Sequence, residues 1–314
     1  MNYSCAHWSA DPTEALAAAQ HRKVHALLHK AKIAPAHHIL DIGCDWGDLA
    51  IQAAQTYHCR VTGVTLSKEQ TRWADDRIQA AGLADRIEIL LCDYRNVRPP
   101  AATGYYDRVI SVGMFEHVGR EYLPEYFATI KRLLHPREGI LVLDGITAMN
   151  RVRLSPHPRY SYTSAATGRK FSDLIPMDDR KVEIHSLQAR TDLFMLKYIF
   201  PGGYLPTIGM QLDHIHEGSG KMLVITSAES AGSHYARSLE VWRHNFVRNW
   251  GAIEADFHAE NRQCTDFEVE AYRRKWLFVV AETSFRLQLL NNFTITAART
   301  PGSEVSYESL PQGP

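Results

Sequence analysis

Cysteine is scarce and scattered: Cys5, Cys44, Cys59, Cys92 and Cys264 are five in 314 residues, with no Cys-x-x-Cys. That argues against a disulfide framework or a cysteine zinc site, and such usage fits a reducing cytosol. Neither His37–His38 nor His214–His216 has carboxylate support at metal-ligand spacing, so no metal is expected. Excess charge is missing as well, since 35 Lys and Arg balance 35 Asp and Glu. A neutral chain carries no general field for nucleic acid, and an acidic partner would have to meet a local patch. No apolar run reaches the ~18 residues of a membrane-spanning helix. The first fifteen residues lack a basic stretch leading into an apolar one, so no signal peptide is read. There is no internal repeat. What is left is a chain long enough for one substantial core, or for one domain with a sizeable appendage.

The patterning is that of an α/β protein. Apolar residues recur at helical spacing over Thr13–Ala31, through Ala15, Leu16, Ala19, Val24, Leu27 and Leu28. Strands and helices then alternate. "HILDIG", "CRVTGVTL", "RIEILLCD", "YDRVISVGMF" and "GILVLDGI" read as strands. Between them lie helices at Asp48–Thr56, at "SKEQTRWADDRIQAAG" and at "REYLPEYFATIKRLLHP". The second of these opens on a Ser-x-x-Gln capping pattern and closes on Gly82. Such alternation predicts a mostly parallel sheet with helices on both faces. After Thr147 the pattern breaks. Arg151–Arg190 holds eight Lys and Arg against four Asp and Glu, a local excess in a neutral chain. The tail, Ser233–Thr296, reads as aromatic-rich helices, and the last residues as disordered.

The chemistry concentrates at strand ends. A strand closing on Asp41 leads through Gly43 and Gly47 into a helix, which suits a loop meeting a ligand at the carboxyl edge of a parallel sheet. Glycines let the backbone approach a ligand, and free helix N–H groups take its polar parts. Asp45 stands where such loops commonly carry a third glycine. The next two strand ends offer Thr65, Ser67 and Gln70, then Asp93 and Tyr94. Together they make one line of contacts for an extended ligand with a sugar and a base, against the plainer reading of ordinary loop polarity.

Seven stretches, in order, carry a resemblance: "YSCAHW", "LDIGCDWG", "VTGVTLSKEQ", "LCDYR", "SVGMFEHVGREYLPEYF", "KYIFPGGYLP" and "HYARSLEVWRHNF". Together they resemble the cyclopropane-fatty-acyl-phospholipid synthases and mycolic acid methyltransferases. The resemblance implies a Rossmann-like class I methyltransferase with a mostly parallel seven-stranded sheet, S-adenosylmethionine as cofactor, and an unsaturated acyl lipid or phospholipid as substrate. It implies cofactor contacts from Tyr3, Ser4, Asp41, Gly43, Cys44, Gly47, Thr65, Leu66, Ser67, Gln70, Asp93 and Tyr94. In this family the proton lost during ring closure is thought to pass to a bound bicarbonate. Its holders carry over onto Cys5, Glu116, Asp144, Ile146 and Tyr235.

One holder has changed type: the family's "LHTI" is "LDGI" here, so Asp144 replaces a histidine. A second carboxylate beside Glu116 repels an anion unless one acid is protonated. Two expectations follow: Asp144 or Glu116 takes the proton directly, or Asp144 points away and a water fills the gap. Ala281 stands where relatives often carry a late cysteine, which argues against covalent cysteine chemistry. Phe115, Phe200, Tyr204, Tyr235 and Trp242 are candidates for an acyl tunnel, against plain core packing.

The resemblance further implies a leader ahead of "YSCA" that helps cover cofactor and substrate. The chain as given starts just before Tyr3, which leaves truncation, a partner or a more open pocket as readings. The division expected is a covering segment at 1–33, a cofactor core at 34–147, a basic insertion at 148–192, a substrate-side cap at 193–298 and a tail at 299–314. The basic stretch is expected either to meet phospholipid headgroups or an acidic carrier at the membrane periphery, or to be merely solvated. Besides a lipid methyltransferase, two alternatives stay open. One acts on a small-molecule alkene or stops before ring closure; the other binds cofactor without catalysis.

Overall fold

The computed structural model describes residues 2–148, 203–260, 265–275 and 279–299. The basic stretch 151–190, Phe200, Cys264, Trp276, Phe278 and the tail from 300 lie outside the described residues.

The first half follows the alternation read from sequence. Its elements are α1 (Leu16–Lys30), β1 (His38–Ile42), α2 (Asp48–Tyr57), β2 (Arg60–Thr65), α3 (Lys68–Ala80), β3 (Ile87–Leu91), β4 (Arg108–Val112), α4 (Leu123–Leu133) and β5 (Ile140–Ala148). The second half supplies α5 (Ile208–Gly218), β6 (Leu223–Ser230), α6 (Gly232–Arg248), α7 (Trp250–Glu260), α8 (Asp266–Lys275), α9 (Val279–Arg286) and β7 (Leu290–Arg299). Seven strands form one sheet in the order β3-β2-β1-β4-β5-β7-β6. Strands β1 to β5 are parallel, while β7 runs antiparallel between β5 and β6. The parallel strands therefore deliver their carboxyl ends to one edge, where ligands of such sheets bind.

Both faces are covered. Val24, Leu27, Leu28, Ala50, Ala74 and Ile78 of α1–α3 pack on Ile39, Val61 and Val142. Phe127, Ile130 and Ile215 of α4 and α5 pack on Leu40, Val109 and Leu143 on the other side. A smaller cluster joins Cys5, Tyr235, Leu239, Ala281 and Phe285. Ser67 caps α3 as read, its Oγ accepting from Gln70 N at 3.2 Å. Among the described residues no helix is long and apolar enough to cross a membrane.

One reading is corrected. The tail was expected to be helical through Thr296, yet Leu290–Arg299 is a strand, and β6 is a strand that the pattern did not announce. Strand β7 is buried on both faces over Thr294–Ala297, so it lacks the alternation of a half-solvated strand. The aromatic spacing of the helices before it extended the helical reading too far.

Candidate active site

The loop after β1 is built on left-handed backbone. Gly43 has φ 81°, Asp45 φ 49° and Gly47 φ 76°. Asp45 thus holds a conformation that glycine adopts freely and that aspartate tolerates better than most residues. Gly43 N and Cys44 N donate to Val64 O at 2.9 and 3.0 Å, tying the loop to β2. Gly47 lies against α3, where a Cβ would stand 3.0 Å from that of Ala74. Asp41 is buried and its Oδ2 has no hydrogen-bond partner among the described residues. Burial, reinforced by Asp45, pushes its carboxyl up to about 7.

The second half of the capping pattern is diverted to this loop. Gln70 accepts from Thr65 Oγ1 at 2.5 Å and donates through Nε2 to Asp45 Oδ1 at 3.0 Å. Ser67 N donates to Thr65 Oγ1 at 3.2 Å. Leu66, 71% exposed, lies at the same edge. The third strand end carries Asp93 and Tyr94. Asp93 pairs with Arg95 through both oxygens, at 2.9 and 2.6 Å, and Arg95 holds its carboxyl below the usual range. Tyr94 is buried edge-on against Tyr126, with ring centres 5.0 Å apart.

Residues 2–8 lie across the loop. Asn2 Nδ2 donates to Asp48 Oδ2 at 2.7 Å, Ser4 O accepts from Gln20 Nε2 at 2.8 Å, and Ser4 Oγ accepts from Lys23 Nζ at 2.9 Å. Ala6 N donates to Ser238 Oγ at 3.0 Å and Trp8 N to His234 Nδ1 at 3.0 Å, which anchors the segment to α6. Tyr3 stacks on Trp242 with centroids 5.1 Å apart. The α1 face was read from its apolar positions alone. Gln20 and Lys23 sit on the same stripe, and a lysine four residues before Leu27 was the available signal.

A second buried polar group lies beyond β4 and β5. Glu116 sits in the turn Phe115–His117, its Oε1 accepting from Ile146 N at 2.6 Å and its Oε2 buried without a partner among the described residues. Burial raises its carboxyl to about 8, against the opposing pull of the Ile146 N–H. Asp144 is buried on the β5 face that also carries Val142, towards α1. Its Oδ2 accepts from Thr294 Oγ1 at 2.6 Å and Asn292 Nδ2 at 3.1 Å, both on β7. Those two partners were not read from sequence, because the β5–β7 pairing spans about half the chain. The thiol of Cys5 is buried, donates to Ala6 O and Ala231 O, and is pushed up by burial and by Asp144. That suppresses the thiolate a nucleophile would need.

Tyr235 stacks on Phe285 at 4.4 Å and meets Trp242 edge-on at 6.3 Å. Ala281 is buried in this cluster. Phe115 is core, and Tyr204 N donates to Glu116 O at 2.8 Å. Beside Glu116, Gly145 makes room: a Cβ there would lie 2.2 Å from Phe115 Cε1 and 2.7 Å from Glu116 Oε1. Gly145→Ala should therefore destabilise the protein by roughly 1–3 kcal/mol, read as a lower midpoint in denaturant; an unchanged midpoint would show that the turn can yield.

Residues 1–273 match the family model described as mycolic acid cyclopropane synthetase. Tuberculostearic acid methyltransferase UfaA1 of Mycobacterium tuberculosis is 35% identical over 95% of this chain and 60% of its own length. Cyclopropane-fatty-acyl-phospholipid synthase of Escherichia coli is 33% identical over 83% of this chain and 54% of its own. The chain thus spans little more than half the length of these relatives. Among solved structures, cyclopropane synthase MmaA2 from Mycobacterium tuberculosis aligns with a TM-score of 0.73 at 26% identity, covering 95% of this chain and 90% of that one. Mycolic acid cyclopropane synthase CmaA1 complexed with SAH and CTAB aligns with the same values. The sheet order and flanking helices are those of the Rossmann-like class I methyltransferases. By the matched model and by the identity of these relatives, the chain belongs to the mycolic acid cyclopropane synthetase family.

Proposed function

We propose that this protein is an S-adenosylmethionine-dependent C-methyltransferase acting on the cis double bond of an unsaturated acyl chain in a lipid or phospholipid. One observation carries this reading beyond family membership. Beyond the sheet edge that bears the glycine loop, the buried side chains of Cys5, Glu116 and Asp144 lie near enough to Tyr235 to act on its hydroxyl. The residues at the loop fit the cofactor. Gly43 and Gly47 leave the backbone bare, Asp41 offers an unpartnered oxygen, and Thr65, Ser67 and Leu66 sit along the same edge. When bound, the cofactor supplies an electrophilic methyl group.

The chain's own residues then have two tasks. The first is to keep the alkene dry and oriented. We assign this to the layer of α6 and α9, where Tyr235, Trp242 and Phe285 present aromatic surface that also favours positive charge developing on the substrate. The second is to accept the proton that ring closure releases. Bicarbonate fits these residues poorly. The Ile146 N–H, one of its implied donors, already serves Glu116 Oε1, and Asp144 is near enough to raise the Glu116 carboxyl further. We therefore assign proton acceptance to Asp144, steadied by Asn292 and Thr294. Glu116, raised to about 8, carries its proton at neutral pH and is the neutral neighbour.

Expression in a host rich in monounsaturated phospholipid, followed by lipid mass spectrometry, tests this. Acyl chains heavier by one methylene are expected; unchanged lipids in cells holding the folded protein would contradict the reading. A second reading, methyl addition without ring closure, is favoured by Asp144 standing at the histidine position of the resemblance. Mild hydrogenation of the product decides, because it reduces a remaining alkene and spares a ring.

A further inference from the structure

Lys23 is a lysine at 1% exposure, and lysine is almost never fully buried unless paired. Its partner is a neutral one: Nζ donates to Ser4 Oγ at 2.9 Å. Among the described residues no carboxylate lies within salt-bridge distance of it. Burial lowers its pKa, and the charges of Asp144, Asp48 and Asp45 offset that only in part. Lys23 and Asp41 line one narrow cleft beneath the glycine loop, with Asn2, Ser4, Gly43 and Asp45. On one side is an amine with donors to spare; on the other, a buried carboxyl oxygen has no partner among the described residues. A buried amine and a buried carboxyl that face one cleft without touching are complementary to a group carrying both charges, its anion towards the lysine and its cation towards the aspartate, which that cation would help to ionise.

We propose that Lys23 is a cofactor-binding residue, which takes the carboxylate of the cofactor's amino-acid end while Asp41 takes its ammonium. The inference rests on the cofactor reading above and adds a residue to it. It also accounts for the hold on residues 2–8, since Ser4 is fixed by Lys23 through its hydroxyl and by Gln20 through its carbonyl. That hold keeps the lysine from turning outwards to water.

The test separates recognition of the carboxylate from support of the fold. The protein is titrated calorimetrically with S-adenosylhomocysteine and with its decarboxylated amine, which keeps the nucleoside and the ammonium. Lys23→Met should weaken binding of S-adenosylhomocysteine by about tenfold or more and leave binding of the amine within about twofold. Equal loss for the two ligands would overturn the proposal and make Lys23 a support of the fold; no loss for either would overturn it too. Lys23→Gln, which keeps the reach and a donor for Ser4, should give the same split and serves if the methionine variant does not fold. A parent protein that binds neither nucleoside overturns the cofactor reading itself, which is distinct from binding without the split.

Discussion

Asp144→Asn should cut turnover by about 10²–10⁴-fold, the usual worth of a positioned acid or base, while leaving cofactor affinity near that of the parent. The substitution keeps the shape and one accepting oxygen for Thr294 and Asn292, so the β5–β7 pairing around it should hold. What it removes is the capacity to accept a proton. Asp144→His restores the residue type of the family motif and should bring with it a response to added bicarbonate that the parent lacks. The comparison is turnover of parent, Asn and His proteins with and without bicarbonate. Equal stimulation of all three would defeat direct acceptance by Asp144. The geometry gives the reason for expecting otherwise: the Ile146 N–H is already engaged by Glu116, so an anion would have to displace a 2.6 Å hydrogen bond to reach it.

Stability of the ligand-free protein should fall as pH rises from about 5 to about 8, and Glu116→Gln should abolish much of that fall. Glu116 is fully buried and raised from 4.5 to about 8, chiefly by burial. Between those values the unfolded chain has released a proton that the folded chain retains. The folded state then binds more protons than the unfolded one, so stability drops with rising pH until the folded carboxyl ionises. Asp41, raised from 3.8 to about 7, acts in the same direction over a slightly lower window. Glutamine keeps the oxygen that accepts from Ile146 N and never ionises. The variant should match the parent near pH 5 and exceed it by roughly 2–4 kcal/mol at pH 8–9, a large fraction of the stability of an ordinary domain. Denaturant midpoints at the two pH values are the measurement. A parent whose midpoint does not move between them would mean that Glu116 reaches water or a partner when ionised.

The parallel half of the molecule was legible because its signals are local. Each strand is a short apolar run, each helix an amphipathic stripe, and Ser67 marks a helix start by a hydrogen bond within one turn. The antiparallel strands were not, since β7 is buried on both faces and neighbours β5 across a long stretch of chain. The site divides in the same way. Asp41, Gly43, Gly47, Thr65 and Ser67 follow strand ends that the alternation located. Asn292 and Thr294 matter only because the sheet brings them to Asp144. Lys23 was passed over because its helix was read for apolar periodicity, in which a charged residue on the buried stripe counts as noise. Asp45, conspicuous in the sequence as a departure, proves to occupy left-handed backbone and to be held by Gln70. Its carboxylate is thereby part of the loop's own bonding. Asp93 and Tyr94, grouped with the ligand line by sequence, also pair with Arg95 and pack on Tyr126, contacts that the strand end alone does not announce.

The most direct measurement is transfer of label from methyl-labelled S-adenosylmethionine, by the purified protein, to vesicles of monounsaturated phospholipid. Label is expected in the acyl chain, formed in step with S-adenosylhomocysteine, and none with vesicles of saturated phospholipid. Label in the headgroup, or cofactor bound with no label transferred to the acyl chain, would contradict it.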